Sequence, residues 1–371
     1  MTSIAIDIGT TKICVLAINA ETGEVLEKLY ADTPALKCTD LSENESRHAQ
    51  DPGLIIRITE EMYASLAGKY RPVACIGVTG QMHGMLYVNT DGMAISPLYT
   101  WQDERGGLVY RDNKTYTEIL SCLTDAPVAS GYGLVTHYYM QCNNLVPKDA
   151  AKICTIGGYV TMRLARLTQP LEHITNAASL GFHRTGEGFD HDALLKAGID
   201  TSLLPSYTES TVIAGITADG VPVSCDIGDN QASFLGAVAD WENSLFANIG
   251  TGSQISFTDN KIHSGMEARP FFDSRLLNVG AGLCGGRAYA LLEKFFRQVL
   301  DMAGYRSEAL LYQAMDRCLS NTDIAAMDPL RVTTKFSGTR KNPDERGKIE
   351  NLSFENFTPR NMMLGFLSGI A

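Results

Sequence analysis

The hydrophobic pattern at the start of the chain predicts a β-hairpin. Residues 4–8 and 13–18 are largely apolar and rich in β-branched side chains, and the polar stretch between them contains glycine. Two such runs around a short polar segment are typical of antiparallel strands joined by a tight turn. Residues 25–30 repeat the apolar pattern, so we expect a third antiparallel strand. The predicted turn consists of Gly9, Thr10, Thr11 and Lys12.

The same pattern returns in residues 245–257. When the two copies are aligned without a gap, Asn248 falls on Asp7 and Ser253 falls on Lys12. A repeat of this kind, far apart in one chain, predicts a duplicated domain that holds one nucleotide between its halves. The second turn consists of Gly250, Thr251, Gly252 and Ser253.

The residue types in the two turns favour phosphate binding. Gly9 and Gly250 permit backbone conformations that bring N–H groups close to an anion, and the polar residues 10–12 add donors and a positive charge. Asp7 can hold a hydrated Mg²⁺ beside the phosphates, and the second copy has no equivalent carboxylate. For a single copy, an ordinary hairpin with a polar turn is the alternative.

Helical and strand patterns alternate along the rest of the chain. Leu54, Ile58, Met62 and Leu66 recur at helical spacing and predict an amphipathic helix over 52–69. A buried strand is predicted at 73–79, a strand and a helix within 148–167, and a loop at 176–182. Further helices are predicted at 190–198, 287–303, 307–320 and from 361 onward. The glycine-rich segment 280–286 either approaches a nucleotide or makes a plain strand-to-helix turn.

The loop that follows strand 73–79 is a candidate sugar site. It contains Gln81, Met82 and His83 between two glycines. Loops at the carboxyl ends of strands in α/β sheets are where ligands bind. Gln81 offers a donor and an acceptor and His83 can bond a hydroxyl, which suits a polyol. A single histidine is more often a structural residue, and that alternative stays open.

A second candidate group follows in Trp101, Asp103 and Arg105. An indole ring can cover the CH face of a sugar while a carboxylate accepts its hydroxyl protons. The alternative is a strand end at the surface that carries a solvated salt bridge.

Asp229 is the candidate general base. Residues 223–237 read as a strand, a glycine, an aspartate and a helix of small residues. Phosphoryl transfer to an alcohol needs a carboxylate aimed at the attacking hydroxyl. A carboxylate is also favoured at a helix N-terminus, so capping alone could explain Asp229. Asp226 is a rival, but it lies on the strand side of Gly228, and we prefer Asp229.

Composition narrows the class of protein. The chain has 371 residues, 44% hydrophobic and 20% charged, which is enough for two domains with sizeable cores. A net charge of −11 argues against non-specific binding to nucleic acid or anionic membranes. No apolar stretch is long enough to span a bilayer, and we expect a cytoplasmic protein. The nine cysteines are scattered without a C-x-x-C pair, which favours buried free thiols over zinc or disulfides.

Together these segments resemble the FGGY family of carbohydrate kinases. Residues 7–12 look like the family's first phosphate motif, 250–253 like its second, and 228–229 like its catalytic aspartate segment. Residues 80–84 are similar to the sugar loop of xylulokinases and sedoheptulokinases. The segments that lean toward the sedoheptulokinase branch contain Trp101, Asp103, Arg105, Tyr132 and Asn176.

The resemblance implies an α/β fold of two duplicated ribonuclease-H-like domains, of the actin-like ATPase type, with mixed sheets flanked by helices and a cleft between them. We expect a sugar-binding and catalytic domain at 1–238 and a nucleotide-binding domain at 239–371. Family members usually extend beyond this point and complete the adenosine pocket there. We therefore expect the second domain to be incomplete and ATP binding by this chain to be in doubt.

The implied activity is ATP- and Mg²⁺-dependent phosphorylation of a ketose, with sedoheptulose 7-phosphate as the expected product. A xylulokinase, another sugar kinase of the family and a non-catalytic actin-like ATP-binding protein are the alternatives. The expected partners are a small sugar and ATP, without nucleic acid or membrane. The oligomeric state stays open, with a homodimer among the candidates.

Overall fold

The fold is described from a computed structural model, over residues 1–36, 48–124, 128–250, 252–306, 309–320, 330–336 and 344–370. These residues form two compact units. The first comprises Met1–Ala239 with Arg269–Leu277, and the second comprises Asp240–Ala268 with Asn278–Ala371. The expected single boundary at 238/239 therefore misses one segment. Residues 269–277 pack with the first unit because Phe271, which is 2% exposed, makes an edge contact with Phe234.

The strands, in chain order, are β1 (Thr2–Ile8), β2 (Lys12–Asn19), β3 (Val25–Asp32), β4 (Ala49–Gln50), β5 (Val73–Gly80), β6 (Leu86–Val88), β7 (Leu98–Tyr99), β8 (Val109–Arg111), β9 (Lys114–Thr115), β10 (Lys152–Cys154), β11 (Leu171–His173), β12 (His183–Arg184), β13 (Gly188–Phe189), β14 (Ser206–Thr208), β15 (Ile213–Ile216), β16 (Pro222–Ser224), β17 (Ile227–Gly228), β18 (Leu245–Ile249), β19 (Ser253–Asp259), β20 (Glu267–Pro270), β21 (Leu276–Leu283), β22 (Arg331–Thr333) and β23 (Lys348–Glu350).

The α-helices are α1 (Pro52–Lys69), α2 (Tyr116–Thr124), α3 (Gly133–Cys142), α4 (Ile156–Leu164), α5 (Ile174–Ala177), α6 (His191–Lys196), α7 (Asp229–Ala237), α8 (Gly286–Met302), α9 (Tyr312–Leu319) and α10 (Pro359–Ile370). Short 3₁₀ helices occupy Arg105–Gly107, Ala178–Leu180, Thr201–Leu203 and Phe272–Ser274.

The first unit is built on a mixed sheet with the strand order β15-β16-β5-β1-β2-β3, and β17 also pairs with β5. β1 runs antiparallel to β2 and parallel to β5, and β2 runs antiparallel to β3, which confirms the predicted hairpin and third strand. Ile4, Ile6 and Ile8 are buried, whereas Asp7 on the opposite face of β1 is exposed. This alternation follows from the two-residue period of a strand.

Helix α1 has the predicted bounds. Asp51 caps it by accepting hydrogen bonds from the backbone N–H groups of Gly53 and Leu54, and proline is the first helical residue. The predicted apolar stripe is only partly correct, because Leu54 is partly exposed. Apolar residues lie on adjacent rows of this helix, so their spacing could not fix the centre of the buried face. The residues buried on that face are Ile55, Ile56, Thr59, Tyr63, Leu66 and Ala67.

A second apolar core in the first unit is rich in aromatic residues and lies around α2, α3 and α6. Tyr87, Tyr116 and Tyr138 are almost completely buried there, together with Leu134 and Phe189. This core supports the loops that carry the predicted sugar-binding residues.

Three local predictions need correction. Residues 176–182 contain the end of α5 and a 3₁₀ turn rather than a loop, because His173 provides an N-cap that starts a helix. The glycine-rich segment 280–286 does contain the strand-to-helix turn that the sequence offered as one alternative, but the turn is shorter, because β21 extends to Leu283 and α8 begins at Gly286. The helix expected over 307–320 is shorter, Tyr312–Leu319, and residues 307–308 lie outside the described ranges.

The second unit contains strands of a four-stranded sheet with the order β18-β19-β21-β20. Its apolar core is formed by side chains of α8, α9, α10 and β22, among them Leu292, Met315, Val332 and Phe366. The apolar helix expected from residue 361 is confirmed as α10. None of the helices in the described ranges combines the length and the apolar composition needed to cross a bilayer.

The cysteines in the described ranges are free, as predicted, but their burial varies. Cys154, Cys225 and Cys284 are buried, whereas Cys122 is exposed. The remaining one, Cys38, lies outside the described residues.

Candidate active site

Three strand ends meet at one edge of the central sheet. Gly80, at the carboxyl end of β5, pairs with Ile8 of β1 on one side and with Gly228 of β17 on the other. The three strands are parallel, so the residues that follow them leave the sheet at the same edge. Asp7, the predicted sugar loop and Asp229 are therefore brought together.

The first predicted phosphate turn, residues 9–12, is a tight turn closed by a backbone hydrogen bond. Gly9 donates its N–H to the Lys12 carbonyl oxygen at 2.9 Å, and Thr33 Oγ1 donates to the Gly9 carbonyl oxygen at 2.8 Å. A Cβ atom on Gly9 would lie 3.0 Å from the Lys12 oxygen, so a larger residue would strain the turn. Thr11 and Lys12 are exposed and Thr10 is partly exposed. The side-chain donors of Thr11 and Lys12 are accessible to an anionic ligand.

Gln81 is enclosed and joins the phosphate turn to the sugar loop. It is 1% exposed; its Oε1 accepts from Thr10 Oγ1 at 3.3 Å and its Nε2 donates to Gln50 Oε1 at 2.8 Å. Gln50 in turn donates to the Thr10 carbonyl oxygen at 2.7 Å. The Trp101 indole N–H donates to Thr10 Oγ1 at 2.9 Å, and Trp101 is 43% exposed. The Gln81 amide, which the sequence predicted as a donor and acceptor for a sugar, is thus buried and hydrogen-bonded to Thr10 and Gln50.

His83 is held in a rare backbone conformation, with φ of 71°. Its backbone N–H donates to Ser179 Oγ at 2.9 Å, and its Nδ1 lies 2.9 Å from the Ser179 carbonyl oxygen. The oxygen is an acceptor, so Nδ1 carries a proton and donates it to this hydrogen bond. The imidazole stacks on the Tyr132 ring with centroids 4.8 Å apart and an interplanar angle of 6°. Left-handed backbone at a non-glycine residue persists where surrounding contacts enforce it, and such positions cluster at ligand sites.

Asp103 and Arg105 form a buried ion pair. Asp103 Oδ1 accepts from the Arg105 backbone N–H at 3.0 Å and from its Nε at 2.8 Å, and both side chains are about 5% exposed or less. The guanidinium lies over the Tyr99 ring, 4.4 Å from its centroid. The solvated salt bridge considered as an alternative is therefore wrong. The pair shapes the segment that carries Trp101.

Met82 and Asn176 also lie beneath the surface. Met82 is 5% exposed, and its Sδ would be 2.8 Å from a Cβ atom on Gly228. Asn176 is fully buried and donates through Nδ2 to Asp226 Oδ2 at 2.5 Å. Both side chains contact the segment that leads to Asp229.

Asp229 is the first residue of α7, and Gly228 occupies the N-cap position without a side-chain cap. Asp229 is therefore not the cap, and it is partly exposed at the sheet edge. Burial and, to a smaller extent, the charge of Asp7 raise the pKa of Asp229 to about 6, against the opposing effects of the Asn230 backbone N–H and of Arg269. A carboxylate with this pKa is ionised at neutral pH and still a good proton acceptor. The rival Asp226 is fully buried.

The surroundings of Asp7 fit one carboxylate ligand of a cation. Asp7 reaches solvent, and partial desolvation raises the pKa of its carboxyl group. Within the described ranges no group of three or more His, Cys, Asp or Glu side chains forms a ligand set. One protein carboxylate is sufficient for Mg²⁺, which keeps several waters and takes further ligands from substrate phosphates. A cation here would also reduce the repulsion between Asp7 and Asp229.

The second turn differs from the first by one residue. Ile249 pairs with Ser253 in the second hairpin, whereas Ile8 pairs with Ile13 in the first. The ungapped alignment of the two copies is therefore wrong after the turn, and Ser253 takes the place of Ile13. Ser253 is buried, and Gly250 accepts a hydrogen bond from the Gly286 N–H at 2.7 Å. The Gly250 N–H also donates to the Gly252 carbonyl oxygen at 2.8 Å. Thr251 lies outside the described residues.

The sequence-family model described as "FGGY family of carbohydrate kinases, N-terminal domain" matches residues 2–236, which is more than half of the chain. The chain belongs to the FGGY family of carbohydrate kinases. The resemblance seen in its motifs is thereby confirmed, and so is the family's sugar-kinase function at that level.

Two members of the family are similar over most of the chain. A sedoheptulokinase from Mus musculus is 25% identical over an alignment 409 positions long, which covers 99% of this chain and 84% of the relative. A sedoheptulokinase from Homo sapiens is 27% identical over 366 residues, which cover 86% of this chain and 73% of the relative.

Solved structures of the family share the fold. A xylulose kinase from Rhodospirillum rubrum has a TM-score of 0.79 at 19% identity, over 100% of this chain and 76% of that structure. A glycerol kinase from Plasmodium falciparum, determined with ADP, has a TM-score of 0.73 at 19% identity over the same shares. The predicted α/β fold of the actin-like ATPase type, with mixed sheets flanked by helices, is confirmed.

Three residues at this site were not identified from the sequence. Gln50 and Ser179 orient the predicted site residues, but isolated polar residues in turn-rich or small-residue segments carry no distinctive pattern. Arg269 acts on Asp229 from residues 269–277, which the sequence placed in the second domain but which belong to the first unit. No periodicity or spacing in the sequence links these two residues.

Proposed function

We propose that this family member transfers the γ-phosphoryl group of ATP to the terminal hydroxyl of sedoheptulose, yielding sedoheptulose 7-phosphate and ADP. The observation that carries the proposal is the position of Asp229. It follows β17 directly beside the ends of β1 and β5, and the pKa of this partly exposed carboxyl group is about 6.

Asp229 acts as the general base. Its carboxylate accepts the proton of the sugar hydroxyl as the hydroxyl oxygen forms a bond to the γ-phosphorus. The bond from that phosphorus to the bridging oxygen breaks, and ADP leaves with the electron pair. Arg269 and the Asn230 N–H favour the ionised form of Asp229, which is the major form at neutral pH for a pKa of about 6.

The turn at 9–12 provides phosphate donors through its backbone and through Thr11 and Lys12. In the second unit, the turn that contains Gly250 and Gly252 is proposed to do the same. Asp7 would hold Mg²⁺, which neutralises charge on the transferring phosphoryl group when bound. His83, Tyr132 and Trp101 are proposed to contact the sugar directly. The buried Gln81, Met82, Asp103, Arg105 and Asn176 are proposed to support them.

The choice of sedoheptulose rests on relatives. The two sedoheptulokinases match this chain at 25% and 27% identity over 99% and 86% of its length. Xylulose is the second candidate, because xylulose kinases are among the structural neighbours.

Replacement of the proposed base tests the mechanism. We expect Asp229→Asn to lower sugar-dependent ADP release by about 10²–10⁴-fold, because proton transfer in the transition state is lost. A coupled ADP assay measures this, and circular dichroism verifies the fold. Asp91→Asn, which makes the same charge change in an exposed turn, is the matched control. Unchanged turnover in Asp229→Asn would remove Asp229 from this role.

A panel of acceptors tests the substrate. The same assay with sedoheptulose, xylulose and glycerol should give a kcat/KM for sedoheptulose at least about tenfold above the others. A preference for xylulose or glycerol would reassign the substrate within the family. ATP binding without turnover on any acceptor would favour a non-catalytic ATP-binding protein.

A further inference from the structure

Two carboxyl groups lie buried behind the sheet edge that carries Asp229. Glu172, at β11, and Asp226, between β16 and β17, are both fully buried. They rest on the first turn of α4. Glu172 Oε1 accepts hydrogen bonds from Thr155 N at 2.7 Å and from Thr155 Oγ1 at 3.0 Å. A Cβ atom on Gly157 of the same turn would lie 2.7 Å from Asp226 Oδ2. The first turn of one helix thus contacts both groups.

One oxygen of each carboxyl group makes no hydrogen bond with the described residues. Within the described part of the chain, Glu172 Oε2 and Asp226 Oδ1 find no hydrogen-bond partner. None of the salt bridges among the described residues involves either side chain. Two ionised carboxylates buried against the same helix turn without a cation would repel each other and lose their hydration, which favours the protonated form of at least one of them.

Asp226 also fixes the strand that leads to Asp229. Its Oδ2 accepts a hydrogen bond from Asn176 on α5. On the same segment, Gly228 N donates to Thr175 Oγ1 at 3.1 Å, and the Ile227 carbonyl oxygen accepts from Thr79 Oγ1 at 2.9 Å. The chain that follows α5 carries Ser179, which holds His83. A change at Asp226 therefore acts on both sides of the proposed site.

We propose that Asp226 is a positioning residue for Asp229, and that it forms with Glu172 a carboxyl pair that retains a proton rather than two anions. The proposal rests on the proposed function, in which Asp229 is the general base. In the pair that retains a proton, one oxygen of Asp226 still accepts the hydrogen bond from Asn176 Nδ2. At most one of the two carboxyl groups then carries a negative charge. The segment from 226 to 229 then remains seated against α5.

Among the described residues, the titratable groups that act on the pair supply no positive charge. They are the thiols of Cys154 and Cys225, whose pKa values are raised by burial and then by the two carboxyl groups, and His173, whose pKa is lowered by burial. Burial raises the pKa of Asp226 to about 7, against the opposing effects of Asn176 and of the His173 backbone N–H. Burial and then the charge of Asp226 raise the pKa of Glu172.

An acid whose pKa is raised on folding lowers the stability of the folded state as the pH rises. The loss begins near the unfolded pKa of about 4 and is complete above the folded pKa. The contribution of Asp226 should therefore fall between about pH 4 and pH 8. Asp226→Asn keeps the shape and the acceptor for Asn176 but removes this ionisation.

The experiment compares the parent with Asp226→Asn, Asp226→Ala, Asp226→Ser and the surface control Asp91→Asn. Between pH 5 and pH 8, the melting temperature of the parent and of Asp91→Asn should fall by at least about 3 °C more than that of Asp226→Asn. At pH 7, Asp226→Ala should lose at least about tenfold in kcat with KM within about threefold, because a displaced base slows the chemical step. Asp226→Asn should restore most of that loss. Asp226→Ser serves if the alanine variant does not fold.

The outcomes separate the two proposals. Equal pH dependence of the melting temperature in the parent and Asp226→Asn would overturn the proton-retaining pair, whatever the activity. An unchanged kcat in Asp226→Ala, or in Asp226→Ser, would overturn the positioning role. If neither the parent nor Asp91→Asn showed sugar-dependent turnover, the proposed function would be overturned, and the positioning role with it. The melting temperatures would still decide whether the carboxyl pair retains a proton.

Discussion

Single side chains connect motifs that are far apart in the sequence. Gln50, in a two-residue strand, bonds both Thr10 of the phosphate turn and Gln81 of the sugar loop. Trp101 reaches the same threonine from a third segment. The sequence identified Thr10, Gln81 and Trp101 by their motifs. Gln50 escaped because one buried glutamine has no pattern, and its partners are 40 and 31 residues away.

Truncation of Gln50 should loosen this connection. In Gln50→Ala, the Thr10 carbonyl oxygen and the Gln81 amide lose buried partners, so we expect unfolding free energy to fall by about 1–3 kcal/mol. The kcat/KM for the sugar should fall about tenfold or more, because the phosphate turn and the sugar loop lose their common support. Urea denaturation and the coupled ADP assay measure the two effects. Gln102→Ala, at an exposed glutamine beside Trp101, is the control, and equal behaviour of both variants would refute the connection.

Among the secondary-structure elements, glycine decides how closely α3 approaches the sugar loop. A Cβ atom on Gly133, the first residue of α3, would lie 2.6 Å from Leu180 Cδ2 and 3.1 Å from the His83 carbonyl oxygen. Tyr132, which stacks on His83, directly precedes this glycine. The sequence showed the Gly-Tyr-Gly motif, but the surface against which the helix packs is formed by distant segments.

Alanine at this position should overpack the contact. We expect Gly133→Ala to reduce the free energy of unfolding by about 1–3 kcal/mol and to raise KM for the sugar, because Leu180 or the His83 backbone must move. Gly68→Ala on α1, where a Cβ atom would meet nothing within 4 Å, is the matched control and should stabilise by about 0.5–1 kcal/mol. Denaturation curves compare the two, and a stabilised Gly133→Ala would contradict the close approach.

Across the whole molecule, several buried ionisable groups link stability to pH. His137 is 1% exposed, lies 2.7 Å from Tyr87 Oη through its Nδ1, and has a pKa lowered to about 4 by burial. Carboxyl groups such as Asp226 have raised pKa values and act in the opposite direction. The change of the unfolding free energy with pH is the sum of the contributions of these groups, so individual variants are needed to separate them.

The histidine contribution can be isolated in His137→Gln. A base whose pKa is lowered on folding contributes stability above its unfolded pKa of about 6.5, and this is lost as the pH falls toward 4. From pH 7 to pH 4 the parent should therefore lose up to about 3 kcal/mol relative to His137→Gln. Chemical denaturation at several pH values gives this difference. A constant difference across that range would mean that His137 does not titrate as described.

Local patterns in the sequence were sufficient for the hairpins, for the bounds of α1, for the strand–glycine–aspartate–helix order around Asp229 and for the family. Each of these depends on residues that are close together in the chain, where periodicity, turn chemistry and capping act. The sequence also identified the chemistry-bearing residues that such motifs contain.

Only the tertiary structure decided which of those residues are accessible and which support others. It buried Gln81, Asp103, Arg105 and Asn176, joined residues 269–277 to the first unit, and shortened the second turn by one residue. These outcomes depend on strand pairing and side-chain contacts between segments that are tens to hundreds of residues apart. The free energy of such contacts is set by burial and by partners that no local pattern specifies.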